Sequence, residues 1–170
     1  MHSKAVSLTF TPINPGNRQA VNSYLIQRWY THQMVVRGRV YNMCTLPGIV
    51  AWQGGHIAGV VTYTAHRGVL YVISLNATVP GQGVGTALLN QLVLLGQTAG
   101  NRVIQLITTN DNLAALRFYQ RRGFCLVRVY PGAISASRAI KPQIPLVGEY
   151  GIPLRDEILL QLQLIPKERK

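Results

Sequence analysis

The chain has 170 residues, of which 48% are hydrophobic, enough to bury a core and to exclude a disordered or fibrous protein. Seventeen lysines and arginines against five acids give a net charge of +12. This balance indicates either an anionic partner, such as nucleic acid, an anionic surface or a phosphorylated cofactor, or a basic surface with no single partner. Because the cysteines and histidines lack metal-ligand spacing and no apolar run is long enough for a membrane span, we expect one cytoplasmic domain over residues 1–170, with free thiols and no metal site.

Hydrophobic periodicity predicts an α/β fold built on a mixed sheet. In chain order, the predicted strands cover residues 5–10, 49–52, 57–64, 69–77, 103–109, 124–130 and 157–164. Amphipathic helices are predicted over 17–30, 86–99 and 112–122, and the last two end at the stop signals Gly100 and Gly123. Residues 131–155 are predicted to be irregular and stiffened by four prolines, and we expect them to form a lid or a substrate wall.

A glycine-rich segment between a predicted strand and a predicted helix is the first candidate binding site. It runs Pro80-Gly81-Gln82-Gly83-Val84-Gly85-Thr86. Glycines allow a tight turn and close approach to a ligand, and the following helix directs unpaired N–H groups toward it, which suits a phosphate or pyrophosphate. A purely structural turn would use the same residues. No Gly-Lys-Ser/Thr follows, which excludes a Walker loop, and the GxGxG spacing argues against a dinucleotide fingerprint.

A second motif follows the next strand, over residues 112–124, with the sequence Asn-Leu-Ala-Ala-Leu-Arg-Phe-Tyr-Gln-Arg-Arg-Gly-Phe. The two segments together resemble the GNAT superfamily of acetyl-CoA-dependent N-acetyltransferases. That family carries Gln/Arg-x-x-Gly-x-Gly/Ala after its fourth strand and then Asn-x-x-Ala-x-x-Phe-Tyr-x-x-x-Gly-Phe. The second element matches throughout, whereas the first has Pro80 where Gln or Arg is usual. Segments 35–39, 46–48 and 151–157 are also similar to an uncharacterised bacterial branch.

The resemblance implies the family's fold, which is α/β, or α+β in some schemes. Its central sheet is mixed and mostly antiparallel, helices flank it, and a splayed cofactor cleft opens between the fourth and fifth strands. Acetyl-CoA is the implied cosubstrate and an amine is the implied acceptor. The family likeness also allows a homodimer.

The resemblance also implies roles for particular residues. Backbone groups of Leu75 and Ala77 would grip the pantetheine arm, and Asn112 would hydrogen-bond it. Tyr119 would protonate the departing CoA thiolate, for which a phenol is a suitable acid. The pyrophosphate would lie on the amides of Gln82, Gly83, Val84, Gly85 and Thr86. Two structural alternatives stay open, namely Asn112 as a helix N-cap and Tyr119 as a core aromatic beside Phe118.

Other parts of the cleft are less well defined by the sequence. Trp29 and Arg37 fall where relatives often form the acceptor pocket, although Trp29 also lies on the apolar face of its helix, which favours core packing. Four arginines either face the 3′-phosphate of CoA or belong to a solvated basic surface: Arg102, Arg117, Arg121 and Arg122.

The carboxylate with which many relatives deprotonate the amine is missing. Its position on the fourth strand holds Tyr71, and a second position, acidic in the similar branch, holds Asn76. A lysine-like amine with a pKa of about 10.4 must lose a proton near pH 7 at a cost of roughly 4–5 kcal/mol. We therefore consider Glu149 and Asp156 as remote candidates for the base or for binding the amine, with Tyr71 as a further possibility. Pairing of the two acids with neighbouring basic residues is the alternative.

Three functional hypotheses follow. The first is direct acetyl transfer from acetyl-CoA to an amine in a ternary complex. The second is an acyl-CoA-binding or regulatory module that is catalytically weak because its base has been lost. The third, nucleic-acid binding through the basic surface, lacks a recognised motif and is the least favoured.

Overall fold

The computed structural model describes residues 7–164. Its strands are β1 (Thr9–Pro12), β2 (Gln33–Val36), β3 (Arg39–Asn42), β4 (Gly48–Gln53), β5 (His56–His66), β6 (Val69–Ala77), β7 (Val103–Thr109), β8 (Cys125–Tyr130) and β9 (Glu157–Gln163). Its α-helices are α1 (Arg18–Trp29), α2 (Val84–Thr98), α3 (Leu113–Gln120) and α4 (Ala133–Ile140). Short 3₁₀ turns cover Met43–Thr45 and Glu149–Gly151.

Seven of these strands form one sheet in the order β1-β4-β5-β6-β7-β9-β8, and β2 and β3 form a separate hairpin. Within the described chain, β6 and β7 make the single parallel pair of the large sheet, and its other neighbours pair antiparallel. A parallel pair needs a crossover, which α2 supplies between β6 and β7. The predicted fold class, a mixed and mostly antiparallel sheet flanked by helices, is confirmed.

The two faces of the sheet carry two cores. On one face α2 places Leu88 and Leu92, both fully buried, against Leu70 and Ile104 of the central strands. On the other face, a smaller cluster joins Val21, Leu25, Met43, Val50 and Val60 beneath α1. Alternation along β5 explains this division, because successive strand residues point to opposite faces.

The sheet opens between β6 and β7, as expected for the family's fourth and fifth strands. These strands pair only from Val69↔Val103 to Val72↔Leu106, so the edge of β6 from Ile73 onward has no strand partner among the described residues. On its other edge, β6 stays paired with β5 as far as Ala77↔Gly59, but the register shifts because Ile73 is an extra residue. This β-bulge bends the strand at the point where the sheet splits.

Three sequence predictions need correction. The first strand is Thr9–Pro12 rather than 5–10, because Pro12 closes the pairing with Ile49; residues 5 and 6 lie outside the described range. The hairpin of β2 and β3 was not predicted. The segment 131–155 is not wholly irregular, because it contains α4, which buries Ile134 and Ser137 one turn apart. The other predicted elements are confirmed within a few residues at their ends.

Candidate active site at the opening of the sheet

The opening between β6 and β7 contains a cavity of about 290 Å³, here called the central cavity. It crosses the sheet, because its lining comes from elements packed on both faces. Leu75, Asn112 and Tyr119 line it from the side of α3, whereas Trp29, Ser137 and Glu157 line it from the side of α1 and α4. The structure therefore brings together three of the residues assigned by motif with others far from them in sequence.

The predicted glycine loop forms a second depression at the N-terminus of α2, here called the loop pocket. Gly83 caps α2 with φ at +78°, and Gly81 has φ at +81°, a conformation that favours glycine. Neither position has a heavy atom within 4 Å of where a Cβ would lie, whereas a Cβ on Gly85 would come within 3.3 Å of the Phe118 ring. The open space next to the first-turn amides of α2 is suited to binding an anion.

The loop pocket adjoins the unpaired edge of β6. It is lined by Leu75, Ala77, Gly83, Val84, Gly85 and Thr86 among the predicted cofactor residues. Gln82 is exposed and borders a different, smaller depression together with His56 and Thr78. The predicted cofactor residues thus line two cavities that share Leu75, except that Gln82 lines a separate depression.

Arg122 is the cationic side chain of the loop pocket. It donates hydrogen bonds to Thr86 Oγ1 and, over 2.8 Å, to the carbonyl oxygen of Phe118, and its guanidinium lies 3.7 Å from the Phe118 ring centroid. These contacts fix a positive charge beside the start of α2. Arg102 instead lies beside Gly68 near the C-terminal end of α2, and Arg117 on α3 and Arg121 just after it are exposed.

Tyr119 is 8% exposed and packs edge-on against the rings of Phe118 and Phe124. Its hydroxyl makes no hydrogen bond to another described residue, although the side chain lines the central cavity. Burial raises the pKa of Tyr119 well above the usual tyrosine value, and the nearby Arg122 guanidinium only partly opposes the shift. The side chain is therefore both a core aromatic and a protonated phenol facing the cavity.

Asn112 is the N-cap of α3, since its Oδ1 accepts a hydrogen bond from the backbone N–H of Ala115 over 3.0 Å. The structural alternative for this residue is therefore realised. The cap leaves the amide NH₂ without a described partner, and Asn112 lines the central cavity. A capping role and a donor role are compatible in one side chain, because the cap uses only the carbonyl oxygen.

The carboxylate in the central cavity is Glu157, which is 2% exposed. The backbone N–H of Arg37 lies 3.2 Å from both of its oxygens, and Ser137 Oγ lies 3.4 Å from Oε1. No cation among residues 7–164 pairs with it, because the ion pair formed there joins Arg155 to Asp156. Sequence reasoning did not select Glu157. It is the first residue of an alternating strand, and the alternation does not indicate that this first position is buried.

The two remote acids that the sequence suggested do not line the central cavity. Asp156 pairs with Arg155 at 3.0 Å and accepts the Gly132 amide at 2.8 Å. The hydrogen bond from Arg155, supported by that from Gly132, lowers the pKa of Asp156. Glu149 is exposed, and its backbone N–H donates to Asp111. Both acids lie in loop structure around the cavity, which makes them poor candidates for the base.

A third cavity of about 470 Å³, here called the outer pocket, lies on the α1 face of the sheet. Tyr71 lines it, together with Tyr41, Thr64 and His66 from neighbouring strands. The turn of the β2–β3 hairpin contributes its cationic residues, Arg37 and Arg39.

The hairpin turn is held in place from two sides. Arg37 and Gly38 both have positive φ, as in the tight turns that match strand twist, and the Arg37 N–H is fixed by Glu157. The Arg37 guanidinium lies 3.3 Å from the ring centroid of Tyr130.

Trp29 is 37% exposed and donates from Nε1 to Asn76 Oδ1 over 2.8 Å, so it borders the central cavity and is not a core residue. The expected placement of Trp29 in the core is therefore wrong.

Two further features of residues 7–164 can be stated. They contain no cluster of three or more histidine, cysteine or acidic side chains placed to hold a metal ion. None of the helices described there has the length and apolar character needed to cross a membrane.

Comparison with known proteins identifies clear relatives. A family model described as the acetyltransferase (GNAT) family matches residues 14–124. The uncharacterised protein YdhI of Bacillus subtilis (strain 168) is 38% identical over 149 residues, which cover 87% of this chain and 93% of YdhI.

Solved structures with the same fold include a GNAT-family acetyltransferase from Streptococcus pneumoniae, with a TM-score of 0.68 and 19% identity over 92% of this chain and 99% of that one. A Bacillus subtilis acetyltransferase in complex with CoA has a TM-score of 0.65 and 16% identity over 94% of this chain and 99% of that one. The family match includes the glycine loop, Asn112 and Tyr119, whereas Glu157 lies beyond it.

Proposed function

The chain belongs to the acetyltransferase (GNAT) family, and from that premise we propose that it moves an acetyl group from acetyl-CoA to a primary amine by direct transfer in a ternary complex. The observation that carries the proposal is the opening between β6 and β7. There the free edge of a strand, the N-terminus of a helix, a buried phenol and a buried carboxylate border two cavities that share Leu75. The proposal takes residues 1–170 as one domain, and the free thiols of Cys44 and Cys125 are compatible with the cytoplasm.

The loop pocket fits the anionic part of the cosubstrate. The first turn of α2 and the fixed charge of Arg122 line the loop pocket, and a Cβ at Gly83 would project into open space. The unpaired edge of β6 from Ile73 to Ala77 offers backbone groups to a pantetheine arm, as one strand offers them to another. When bound, acetyl-CoA supplies the acetyl group as a thioester.

Glu157 is the group we assign to proton removal. It lines the central cavity from the α4 side and has no cationic partner among the described residues. In the proposed step Glu157 accepts a proton from the incoming ammonium group, and the freed amine nitrogen forms its bond to the acetyl carbon as the carbon–sulfur bond breaks. General-base assistance of this kind is typically worth about 10²- to 10⁴-fold in rate.

Tyr119 is the group we assign to the leaving sulfur. It approaches the central cavity from the α3 side, opposite Glu157, and burial keeps its phenol protonated. In the proposed step Tyr119 donates its proton to the departing thiolate and regains one through solvent from the nitrogen that becomes the amide. The products are an N-acetyl amine and free CoA, with no covalent enzyme intermediate.

The second candidate, a catalytically weak acyl-CoA-binding module, was motivated by the missing acids at Tyr71 and Asn76. Glu157 weakens the argument from these missing acids, because it is a buried carboxylate that borders the proposed reaction site from a different strand. Catalysis is therefore the better-supported function.

The test measures acetyl-CoA binding and acetyl transfer in the same preparation. We expect acetyl-CoA at 100 times its Kd to stabilise the protein by about 2.7 kcal/mol, whereas ATP at matched ionic strength gives a smaller shift of Tm. CoA release with an amine panel should then depend on Tyr119, and Tyr119→Phe should lower kcat by at least about 100-fold. Equal stabilisation by ATP would refute the cofactor site.

A matched glycine pair separates binding from backbone strain. Gly83→Ala and Gly100→Ala both place a side chain at positive φ in open space, one at the start of α2 and the other just beyond its end. Both should lose about 1–2 kcal/mol of stability. Only Gly83→Ala should weaken acetyl-CoA binding, by about tenfold or more, and equal affinities for the two variants would count against the loop pocket.

A further inference from the structure

The central cavity and the outer pocket have opposite charge. Among the described residues that line the central cavity, Glu157 is the one charged side chain, and most of the remainder are apolar or hydroxyl-bearing. The outer pocket is lined by Arg37, Arg39 and His66, with no acid in its described lining. A ligand reaching from one into the other would therefore meet a negative end and a positive end.

The two cavities share an apolar wall. Five residues line both of them, from the hairpin, β6 and β7: Val36, Val72, Ile73, Leu106 and Ile107. On β9 the continuity is direct, because Glu157 lines the central cavity and Leu159, two residues further on the same face, lines the outer pocket. Two strand residues span roughly 7 Å, so a single small molecule can reach both.

The outer arginines have no carboxylate partner in the part of the chain that is described, since the ion pair formed there joins Arg155 and Asp156. The Arg37 guanidinium is nevertheless held, by stacking on Tyr130 at 3.3 Å, and Arg39 lies 6.0 Å from the Tyr41 ring. Guanidinium groups of this kind suit planar bidentate contacts with carboxylate or phosphate. They also disfavour a second ammonium group on the acceptor.

From this arrangement we infer that the acceptor is an amine that carries an anionic group, a carboxylate or a phosphate, at the other end of an apolar stem. Its ammonium group meets Glu157 in the central cavity, and its anionic group meets Arg39 and Arg37 in the outer pocket. Polycationic amines are disfavoured as acceptors for the same reason. This inference rests on the proposed acetyl transfer and names the substrate class of that site.

The experiment compares acceptors that differ only in charge. 4-(Aminomethyl)benzoate carries an amine and a carboxylate at opposite ends of one ring, and 4-(aminomethyl)benzamide is its neutral counterpart. 4-(Aminomethyl)phenylphosphonate represents the phosphate arm. With acetyl-CoA saturating, we expect kcat/KM to be about 10- to 100-fold higher for the anionic acceptors than for the amide, since a hydrogen bond to a charged group has about that effect. Whichever of the two anionic acceptors has the larger kcat/KM shows whether the site prefers a carboxylate or a phosphate.

A pair of arginine variants assigns the effect to the outer pocket. Arg39→Gln should remove most of the preference for the anionic acceptor by raising its KM about tenfold or more, and leave the amide unchanged. Arg102→Gln removes the same charge at the far end of α2, beside Gly68, and should leave the preference intact. Equal loss in both variants would assign the preference to the overall charge and overturn the inference.

The outcomes separate this inference from the proposed function. If anionic and neutral acceptors react equally well, or if a polyamine reacts better, acetyl transfer stands and the anionic-acceptor inference is wrong. If no acceptor supports CoA release although acetyl-CoA stabilises the fold, the proposed function fails and the inference falls with it. If the wild type prefers the anionic acceptor and Arg39→Gln abolishes that preference, the result supports both the proposed function and the inference.

Discussion

The two sides of the sheet opening are built in different ways. On the proposed cofactor side, most of the loop pocket comes from one short stretch between Leu75 and Thr86, and the groups we expect to bind are backbone amides held by Gly83 and the start of α2. On the acceptor side, the central cavity depends on side chains that come from distant segments, with Glu157 held by the Arg37 amide and approached by Ser137. A site made of backbone needs a local motif, whereas a site made of side chains needs the whole fold.

The largest expected effect tests the acceptor side through Glu157→Gln. Glutamine keeps an acceptor for the Arg37 N–H but removes the negative charge, so the fold should persist while proton removal is lost. We expect kcat/KM to fall about 10²- to 10³-fold for an alkylamine with a pKa near 10, and much less for an amine that is neutral at the assay pH. The measurement is the initial rate of CoA release across amines of graded pKa.

Glu149→Gln is the control for that experiment, because it removes an exposed carboxylate outside the cavities. Its rates should match those of the wild type. A uniform loss in Glu157→Gln across all amines, whatever their pKa, would assign a purely structural role to Glu157.

The second prediction tests how far the acceptor side depends on tertiary packing. A Cβ on Gly148 would meet Asp111 Oδ2, a carboxylate that also accepts the Glu149 amide. Gly148→Ala should therefore lower the free energy of unfolding by about 1–3 kcal/mol, as overpacking generally does. Ile144 and Leu154, which lie in the same loop segment, line the central cavity, so the KM for the acceptor should rise while that for acetyl-CoA stays constant. Urea unfolding and steady-state kinetics measure the two effects, and wild-type stability would contradict this packing.

The third prediction tests whether Asn112 on the cofactor side acts only through local structure. Asn112→Ala removes the N-cap of α3 and should cost about 1 kcal/mol of stability. Asn112→Ser keeps a capping oxygen and loses the NH₂ donor, so it should restore stability while acetyl-CoA binds more weakly than in the wild type. Thermal unfolding and ligand titration separate the two. Full recovery of affinity in the serine variant would reduce Asn112 to a cap.

The smallest expected effect concerns Asp156, whose pKa is lowered in the folded protein. The ionised carboxylate therefore stabilises the fold at pH values above the ordinary carboxyl pKa, and this contribution is lost as the pH falls through the lowered pKa. Asp156→Asn should reduce stability by about 1 kcal/mol at pH 7, and the difference from the wild type should shrink below pH 4. Urea unfolding at both pH values checks the sign. Activity per folded molecule should stay near the wild-type value, because Asp156 lines neither cavity.

The elements that carry the proposed cofactor residues could be predicted because these residues lie in two short motifs. Gly83, Asn112 and Tyr119 lie in motifs whose spacing also fixes the helix starts, so local pattern and family likeness agree. The predicted strands 69–77 and 103–109 coincide with β6 and β7, in which buried residues alternate with half-buried ones.

The acceptor side could not be predicted, because burial of Glu157 arises only when the hairpin turn and α4 pack over the start of β9. Two of these elements did leave signals. Arg37-Gly38 between Val35-Val36 and Val40 is typical of a two-residue hairpin turn, and Ile134 and Ser137 are spaced one helical turn apart. The prolines that flank α4 are nevertheless typical of an irregular segment.

The bulge at Ile73 determines which changes of length β6 can tolerate. Beyond it, Leu75 and Ala77 face α2 while Asn76 faces α1, where it accepts the Trp29 indole N–H. Deletion of one residue beyond the bulge, with the bulge kept, would exchange the two faces for the rest of the strand, turning Asn76 toward the apolar core or Leu75 toward the acceptor side. Deletion of Ile73 itself would instead remove the bulge and leave both residues on their present faces, because Val72 and Ser74 already pair with the adjacent residues Tyr63 and Thr62. The bulge is therefore the point where β6 can lose a residue, whereas a one-residue deletion beyond it would disrupt both halves of the site.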